Sequence, residues 1–257
     1  MKKNLVKDDR KFLQNKKLNL TDFQRRKKLY KFLINFNVSD VELINNINMF
    51  MDRRSLSRLL NFYELFKLQK NISGNIALFG VYYGKDLINL LHLTQIIEPY
   101  DFSKKIYGFD TFKGIKGSNL KNDLVNHDGS YKAKKDTYEF LKKLCHLQES
   151  YSTIQTNIIE IIKGDIRKTL KSFLKKNDHM FFSLLYFDLD VYKPTYETLL
   201  RLEKHMNKGC VLVFDQFNSN IWPGETKAVK DFFKKIKKKY QIKQSTFKKQ
   251  CSYFIYS

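Results

Sequence analysis

The chain has 257 residues, 42% of them hydrophobic and 15% aromatic, which argues against a disordered protein and leaves room for a sizeable core. Its 48 Lys and Arg residues against 26 Asp and Glu give a net charge of +22, which favours an anionic partner. No apolar run reaches the roughly 18 residues that a membrane span needs, and the first residues lack the apolar stretch of a secretory signal.

The positive charge has an ordinary explanation, because the lysines occur along the whole chain together with many Asn and Ile residues. No nucleic-acid-binding motif accompanies them, so we expect a small anionic substrate and no nucleic-acid partner. Cys145, Cys210 and Cys251 lie far apart, in neither a metal-ligand spacing nor a disulfide framework. These features predict a cytoplasmic protein without a membrane span.

The order of predicted elements divides the chain into residues 1–73 and residues 74–257. The first part begins with a basic arm (residues 1–31). Two helices follow over residues 38–70, with a break near 52–54, and they form a helical lid. In the second part, short apolar runs alternate with helical stretches. We predict strands at 75–81, 105–112, 158–165, 181–190, 209–217 and the C-terminus, and helices at 82–97, 132–148, 166–176, 194–207 and 225–239.

This alternation predicts an α/β fold with an open, mostly parallel sheet and helices on both faces. Acidic residues follow several of the strands, where an open sheet of this kind binds its ligands. For any one acid, the alternative is an ordinary helix N-cap. The acids in question are Asp110, Asp165, Asp188, Asp190 and Asp215.

The sequence GVYYGKD (residues 80–86) joins the first predicted strand to a helix, so it indicates a loop that approaches a ligand closely. It lacks the G-x-G-x-x-G pattern of dinucleotide sites, because Tyr82 stands where the middle glycine belongs, and it lacks the Walker signature. Asp110, which ends the second strand, suits the ribose hydroxyls of an adenosine-bearing cofactor.

Four segments together resemble the macrocin O-methyltransferase (TylF-like) family: ALFGVYYGKDL, KIYGFDTFKGI, IIKGDIRKTL and the stretch from SLLYFDLDVYKPT to WPGETKAVKDFF. The resemblance runs from about residue 74 to residue 233. It implies a Rossmann-like class I methyltransferase fold and transfer of a methyl group from S-adenosylmethionine (SAM) to a sugar hydroxyl, with the help of a divalent metal ion, usually magnesium.

The resemblance also assigns roles to individual residues. The first loop would hold the methionine part of SAM, the end of the second strand its ribose, and the end of the third strand its adenine. The residues at these positions are Gly80, Val81, Tyr82 and Gly84 for the methionine part, Asp110 and Thr111 for the ribose, and Asp165 and Ile166 for the adenine.

The same resemblance places a metal ion on Asp188, Asp215 and Gln216. Two carboxylates and an amide supply the hard oxygen ligands that magnesium prefers. Asp188 and Asp190 are candidates for the group that accepts the hydroxyl proton. His127 is a third candidate, with a solvated loop histidine as its ordinary alternative.

Three residues are expected to contact the sugar: Tyr192, Trp222 and Glu225. The alternative for the sequence WPGET, which contains two of them, is a turn followed by the first residues of a helix. The aromatic residues Phe181, Phe182, Tyr186 and Phe187 are expected in the core.

The chain departs from the family pattern at Leu78, where a glutamate is common, and at Gln216, where an acid is common. Methyl transfer to RNA, protein or a non-sugar metabolite therefore stays open, as does a non-catalytic partner subunit. Our leading expectation is a SAM- and metal-dependent methyltransferase acting on a nucleotide-linked sugar in the biosynthesis of surface polysaccharide or another glycan. A homo-oligomer is compatible with it.

Overall fold

The computed structural model describes residues 22–153 and 157–257. Most of the predicted basic arm therefore lies outside the described residues. The chain forms two compact units, Met1–Arg58 and Leu59–Ser257. The boundary between them lies inside a helix, whereas the sequence predicted a boundary after that helix, between residues 73 and 74. In the described residues, no helix has the length and apolar character required to cross a membrane.

All regular elements described in the first unit are helices. It contains α1 (Asp22–Ile34), α2 (Asp40–Asn45), a 3₁₀ turn (Ile47–Phe50) and the start of α3 (Arg53–Gln69). The Ser39 hydroxyl caps α2 by accepting a hydrogen bond from the Glu42 amide, and the Glu42 carboxylate accepts one from the Ser39 amide. The predicted break near residues 52–54 is confirmed, because α3 begins there. The predicted role of these helices as a lid stays a prediction.

The second unit alternates strands and helices, as expected. Its strands are β1 (Asn75–Phe79), β2 (Ile106–Asp110), β3 (Ile159–Lys163), β4 (Phe182–Phe187), β5 (Met206–Phe214), β6 (Lys243–Gln244) and β7 (Ser252–Ile255). Its further helices are α4 (Lys85–Ile97), α5 (Leu120–Asp123), α6 (Thr137–Glu149), α7 (Ile166–Lys176), α8 (Tyr192–Leu202) and α9 (Gly224–Ile236).

The described residues form a seven-stranded sheet with the order β3-β2-β1-β4-β5-β7-β6. The first five strands in this order pair in parallel, and β7 is antiparallel to both β5 and β6. After β3 the chain crosses to the other half of the sheet and continues with β4, which lies beside β1. Such a switch point, here between β1 and β4, opens a crevice at the carboxyl ends of the strands. The predicted α/β class and mostly parallel sheet are confirmed.

Two clusters of buried side chains cover the two faces of the sheet. Alternate residues of β1 belong to different clusters: Ala77 and Phe79 face the cluster that includes α7, α8 and α9, whereas Ile76 and Leu78 face α3, α4 and α6. The helices therefore lie on both faces. The prediction of a buried aromatic group is wrong for Phe181, which is 50% exposed just before β4, and right for Phe182, Tyr186 and Phe187.

Candidate active site at the carboxyl edge of the sheet

The ends of the parallel strands bring the predicted acids to one edge of the sheet. Phe79, the last residue of β1, pairs with Phe187 of β4, which pairs with Phe214 of β5. The next residues, Gly80, Asp188 and Asp215, therefore lie side by side. The amide of Asp188 donates to Phe79 O (2.8 Å) and that of Asp215 to Phe187 O (3.0 Å), which continues the sheet ladder by one residue.

The loop after β1 (residues 80–84, the glycine loop) depends on its glycines for space. Gly80 has φ +99°, and a Cβ atom there would lie 2.1 Å from the carbonyl oxygen of Asp188. Gly84 has φ +86°, and a Cβ atom there would lie 2.2 Å from the side chain of Leu141. Only glycine lets the loop lie this close to β4 and to α6, so the sequence fixes the position of the loop at the switch point.

The carboxylate of Asp110 fastens the glycine loop to the end of β2. One of its oxygens accepts hydrogen bonds from the amides of Val81 and Tyr82, both at 2.7 Å, and the other accepts from the amide of Phe112 at 2.5 Å. The neighbouring Thr111 hydroxyl donates to Gly114 O at 2.8 Å and so closes the following turn. Sequence reasoning assigned Asp110 and Thr111 to the ribose, but it did not anticipate these local bonds.

Asp165 behaves as the helix N-cap that was its alternative interpretation. Its carboxylate accepts from the amide of Arg167 (3.1 Å) and from the Arg167 guanidinium (2.9 and 2.5 Å). The hydrogen bonds from the guanidinium lower the pKa of the Asp165 carboxyl. The next residue, Ile166, is buried under this pair in the core. The two residues lie at the edge, but the Asp165 carboxylate is already bound to Arg167.

The centre of the edge carries four carboxyl groups, the carboxylate cluster. Asp188 and Asp215 follow β4 and β5, Asp190 lies two residues beyond β4, and Glu225 lies in the first turn of α9. Asp190 adopts φ +62°, which a side chain other than glycine rarely adopts. Burial, then the charges of Asp188, Glu225 and Asp215, raises the pKa of Asp190 well above its usual range. Burial raises the pKa of Glu225 to about 8.

Glu225 is fully buried and clamps the two strand ends together. One of its oxygens accepts from the amides of Leu189 (3.2 Å) and Asp190 (3.3 Å), and the other accepts from the amide of Gln216 (2.9 Å). These three bonds hold the backbone after β4 against the backbone after β5. Glu225 was predicted to contact the sugar, whereas here it shapes the floor of the site.

Asp215 has a partner on each oxygen. The Tyr186 hydroxyl of β4 donates to one oxygen, and the Lys248 ammonium forms an ion pair with the other. Asp215 is almost fully buried, with 3% of its side chain exposed, and Lys248 has 19% exposed. Lys248 was missed by sequence reasoning, because a lysine before the last strand of so lysine-rich a chain gives no local signal.

The expected magnesium ligands fit a hard divalent cation by their chemistry. The side-chain oxygen of Gln216 is buried and has no hydrogen-bond partner among the described residues. The carboxylate cluster around it holds four acids, against which Lys248 supplies one positive charge. A preformed cage is absent, since no three His, Cys, Asp or Glu side chains of the described ranges are grouped for a metal ion. Two carboxylates with the Gln216 amide form a partial ligand set that water or substrate would complete.

Asp123 lies in the loop between β2 and α6 and packs beside the carboxylate cluster, where it is 1% exposed. The Asp123 carboxylate accepts from the amides of Tyr192 (2.7 Å) and Asn119 (2.6 Å). A Cβ atom on Gly224 would lie 2.2 Å from the same carboxylate. Asp123 thus joins three loops around the site. Sequence reasoning missed Asp123 because Tyr192 lies 69 residues away and Asn119 is only the N-cap of the same short helix.

Tyr192 is at the start of α8, but its hydroxyl turns to α9. It donates to Asp231 at 2.8 Å, and the ring stacks on Tyr196 of its own helix with centroids 5.5 Å apart. Burial, with Asp231 beside it, raises the pKa of Tyr192 to about 12. The structure therefore places the Tyr192 side chain in the packing of α8 against α9, and its predicted contact with a sugar has no support in this geometry.

His127 and Trp222 form a stacked pair, with ring centroids 3.7 Å apart and 28° between the planes. His127 is 6% exposed, so its interpretation as a solvated loop histidine is wrong. The ring centroid of Tyr131 lies 6.1 Å from that of Trp222, and the ring centroid of Tyr82, in the glycine loop, lies 6.1 Å from that of Tyr131. These four rings form an aromatic row from the glycine loop to the start of α9, and Tyr82 and Tyr131 expose about half of their surface.

Two of three comparisons with known proteins found matches. A family model described as a methyltransferase domain matches residues 78–217, from β1 to the loop after β5. The structure of CalS11, a calicheamicin methyltransferase, matches with a TM-score of 0.85 and 26% identity over 91% of this chain and 92% of that one. Among curated proteins, no sequence match was found.

Two further structures share the fold at lower identity. An apo structure of CalS11, described as TDP-rhamnose 3'-O-methyltransferase, matches with a TM-score of 0.80 and 24% identity over 93% of this chain and 97% of that one. The O-methyltransferase NovP matches with a TM-score of 0.61 and 16% identity over 78% and 80% of the two chains. The narrower resemblance to the macrocin family stays a prediction.

The family model spans more than half of the chain and covers the glycine loop, Asp110 and three members of the carboxylate cluster. This chain therefore belongs to the methyltransferase-domain family and is a methyltransferase.

Proposed function

We propose that this enzyme transfers the methyl group of SAM to a hydroxyl of a nucleotide-linked sugar, with the help of a divalent cation. The observation that carries this proposal is the aromatic row beside the carboxylate cluster. A sugar ring presents C–H groups that pack on aromatic faces, and its hydroxyls need polar partners nearby. Tyr82 and Tyr131 offer exposed rings, and the carboxylates offer those partners.

The glycine loop and the neighbouring strand ends hold SAM in this proposal. Gly80, Val81, Tyr82 and Gly84 border its methionine part, and the N-terminus of α4 favours its carboxylate. A carboxylate has about four lone-pair positions, so Asp110 has one left to accept a ribose hydroxyl in addition to its three backbone amides. Thr111 lies next to this position, and Asp165 and Ile166 border the adenine.

The transfer step needs a proton acceptor and an aligned oxygen. The sugar oxygen attacks the methyl carbon, the bond between that carbon and the sulfonium sulfur breaks, and S-adenosylhomocysteine leaves as a neutral thioether. The hydroxyl proton passes to a carboxylate, for which we assign Asp190 or Asp188. His127 is stacked under Trp222, and we assign it to support of the aromatic row. Alignment of this kind can supply up to about 7–11 kcal/mol of the barrier.

Asp188, Asp215 and Gln216 would hold the divalent cation. Bound there, it would supply a positive charge that lowers the pKa of a sugar hydroxyl and orients neighbouring oxygens. Among the described residues, the Gln216 oxygen has no hydrogen-bond partner and the carboxylates of the cluster outnumber the cations beside them, which supports this part of the proposal.

Two observations support the choice of a nucleotide-linked sugar. CalS11 is described as acting on TDP-rhamnose. The net charge of +22 attracts a diphosphate more strongly than it attracts a neutral acceptor. We assign the reaction to the biosynthesis of a surface polysaccharide or another glycan, where nucleotide-linked sugars are the building units.

The test is conversion of SAM to S-adenosylhomocysteine with a panel of nucleotide-linked sugars, with magnesium and with a chelator. We expect magnesium-dependent turnover and one added methyl group on one sugar, seen by mass spectrometry. Turnover that is unchanged by the chelator would contradict the role of the cation but not the choice of a sugar as acceptor. Turnover only with RNA or a non-sugar metabolite would contradict the assigned acceptor.

A further inference from the structure

The turn between β6 and β7 (residues 245–251, the C-terminal turn) carries Lys248 to the carboxylate cluster. The amide of Ser245 donates to Cys251 O (3.0 Å), and the amide of Cys251 donates to Lys248 O (2.8 Å), so the turn is closed by its own backbone. The amide of Phe217 donates to Gln250 O at 2.9 Å. This last bond joins the turn to the segment that follows Asp215.

A second set of contacts anchors the turn to α3. Glu64 accepts from the amide of Thr246 at 3.1 Å, and its carboxylate also lies 2.9 Å from the Ser245 hydroxyl. The fully buried Asn61 contacts the same Ser245 hydroxyl. The backbone that carries Lys248 is therefore held from two sides, so the placement of its ammonium group beside Asp215 follows from a built turn.

Lys248 places a positive charge beside one of the residues proposed to hold the divalent cation. Its ammonium group pairs with Asp215, one of the proposed ligands. A lysine has a flexible four-carbon stem, and part of the Lys248 side chain is exposed, so the head group has a path to water while the turn stays in place.

We infer that Lys248 is a built-in counter-ion that competes with the divalent cation for Asp215. Without a cation, the ammonium group neutralises part of the carboxylate cluster and keeps the two strand ends together. When a cation binds, this ammonium group leaves Asp215. The inference rests on the cation of the proposed function, and it predicts that Lys248 weakens cation binding.

The test is direct measurement of Mn²⁺ binding to the full chain in the presence of S-adenosylhomocysteine, by electron paramagnetic resonance of the free ion. We expect Lys248→Met to bind Mn²⁺ about tenfold more tightly than the unchanged protein, since it removes a competing charge from a buried carboxylate. Lys249→Met is the matched control, because it removes the same charge from an exposed neighbour and should leave the affinity unchanged.

Two results would overturn the inference. Equal or weaker Mn²⁺ binding by Lys248→Met would show that the lysine does not compete with the cation, while binding by the unchanged protein would leave the proposed cation in place. Absence of Mn²⁺ binding in every variant would remove both the competition and the cation. Lys248→Gln, which keeps a polar head group, gives the same comparison if the methionine variant does not fold.

Discussion

At the scale of single residues, Asp110 illustrates why the type of a residue predicts its place better than its partners. A carboxylate at the end of β2 was expected from the sequence, and the structure has it there. Its bonds to Val81, Tyr82 and Phe112 depend on the shape of a loop 28–29 residues away and of the turn that follows β2, which no local pattern encodes. Asp165 is a second example, because its position at the edge was predicted but its bond to Arg167, two residues further on, was not.

Replacement of Asp110 by Asn tests whether the carboxylate fastens the glycine loop. The amide nitrogen of Asn cannot accept, so at least one of the three backbone hydrogen bonds is lost. Because a bond to a charged group contributes about 1.5–3 kcal/mol, we expect at least a tenfold loss of affinity for S-adenosylhomocysteine by calorimetry. Asp178→Asn is the control, since that side chain is 90% exposed. Unchanged affinity in Asp110→Asn would show that the loop holds itself.

Replacement of Glu225 by Gln tests the clamp between the two strand ends. Glutamine has nearly the same shape, but its NH₂ group would face an amide donor of Leu189 and Asp190 or of Gln216. An unsatisfied buried donor costs about 1–3 kcal/mol, so we expect the free energy of unfolding to fall by that amount in urea titration. Glu139→Gln, on the exposed face of α6, is the control. Equal stability of the two variants would contradict the clamp.

At the scale of elements, the strands were predictable and the contacts between loops were not. Short apolar runs that end in glycine or an acid placed β1 to β5 within a few residues. The start of β5 at Met206 was missed because Asn207 and Lys208 interrupt the apolar pattern. The C-terminal turn, Asp123 and the stacking of His127 on Trp222 depend on long-range contacts, so a single sequence gave no signal for them.

The glycine loop allows a matched test of close packing between elements. Gly80 and Gly129 both have positive φ, +99° and +83°, but only at Gly80 would a Cβ atom meet backbone, namely Asp188 O. No atom of the described part of the chain lies within 4 Å of the corresponding position at Gly129. We expect Gly129→Ala to cost only the backbone strain, about 1 kcal/mol, and Gly80→Ala to cost clearly more and to weaken SAM binding. Similar free energies of unfolding for the two variants would contradict the close approach of β1 and β4.

At the scale of the whole molecule, the net charge of +22 predicts a salt effect on the acceptor. Exposed charges are screened over about 10 Å at 0.1 M salt, so attraction of a diphosphate weakens as salt rises. We expect KM for a nucleotide-linked sugar to rise about threefold or more between low and moderately high salt, with kcat little changed. SAM carries a net positive charge, so its KM is the control and should not rise. A flat KM for the acceptor would contradict a role of the surface charge.

The class of the fold could be read from the sequence because α/β alternation depends on local patterns. The glycine loop and the acidic strand ends located the site for the same reason, since a parallel sheet brings the ends of its strands to one edge. The roles of individual side chains within the candidate site could not be predicted. Glu225 and Tyr192 were expected at the sugar, yet their polar groups bind backbone amides and Asp231.

The most direct test of proton transfer at the carboxylate cluster is kcat of the unchanged protein and of Asp190→Asn with SAM and a nucleotide-linked sugar. We expect one methylated sugar for each S-adenosylhomocysteine formed. We also expect kcat of the variant to fall by about 100-fold or more, with unchanged affinity for S-adenosylhomocysteine. Wild-type kcat in both Asp190→Asn and Asp188→Asn would contradict the claim that the carboxylate cluster takes the proton in methyl transfer.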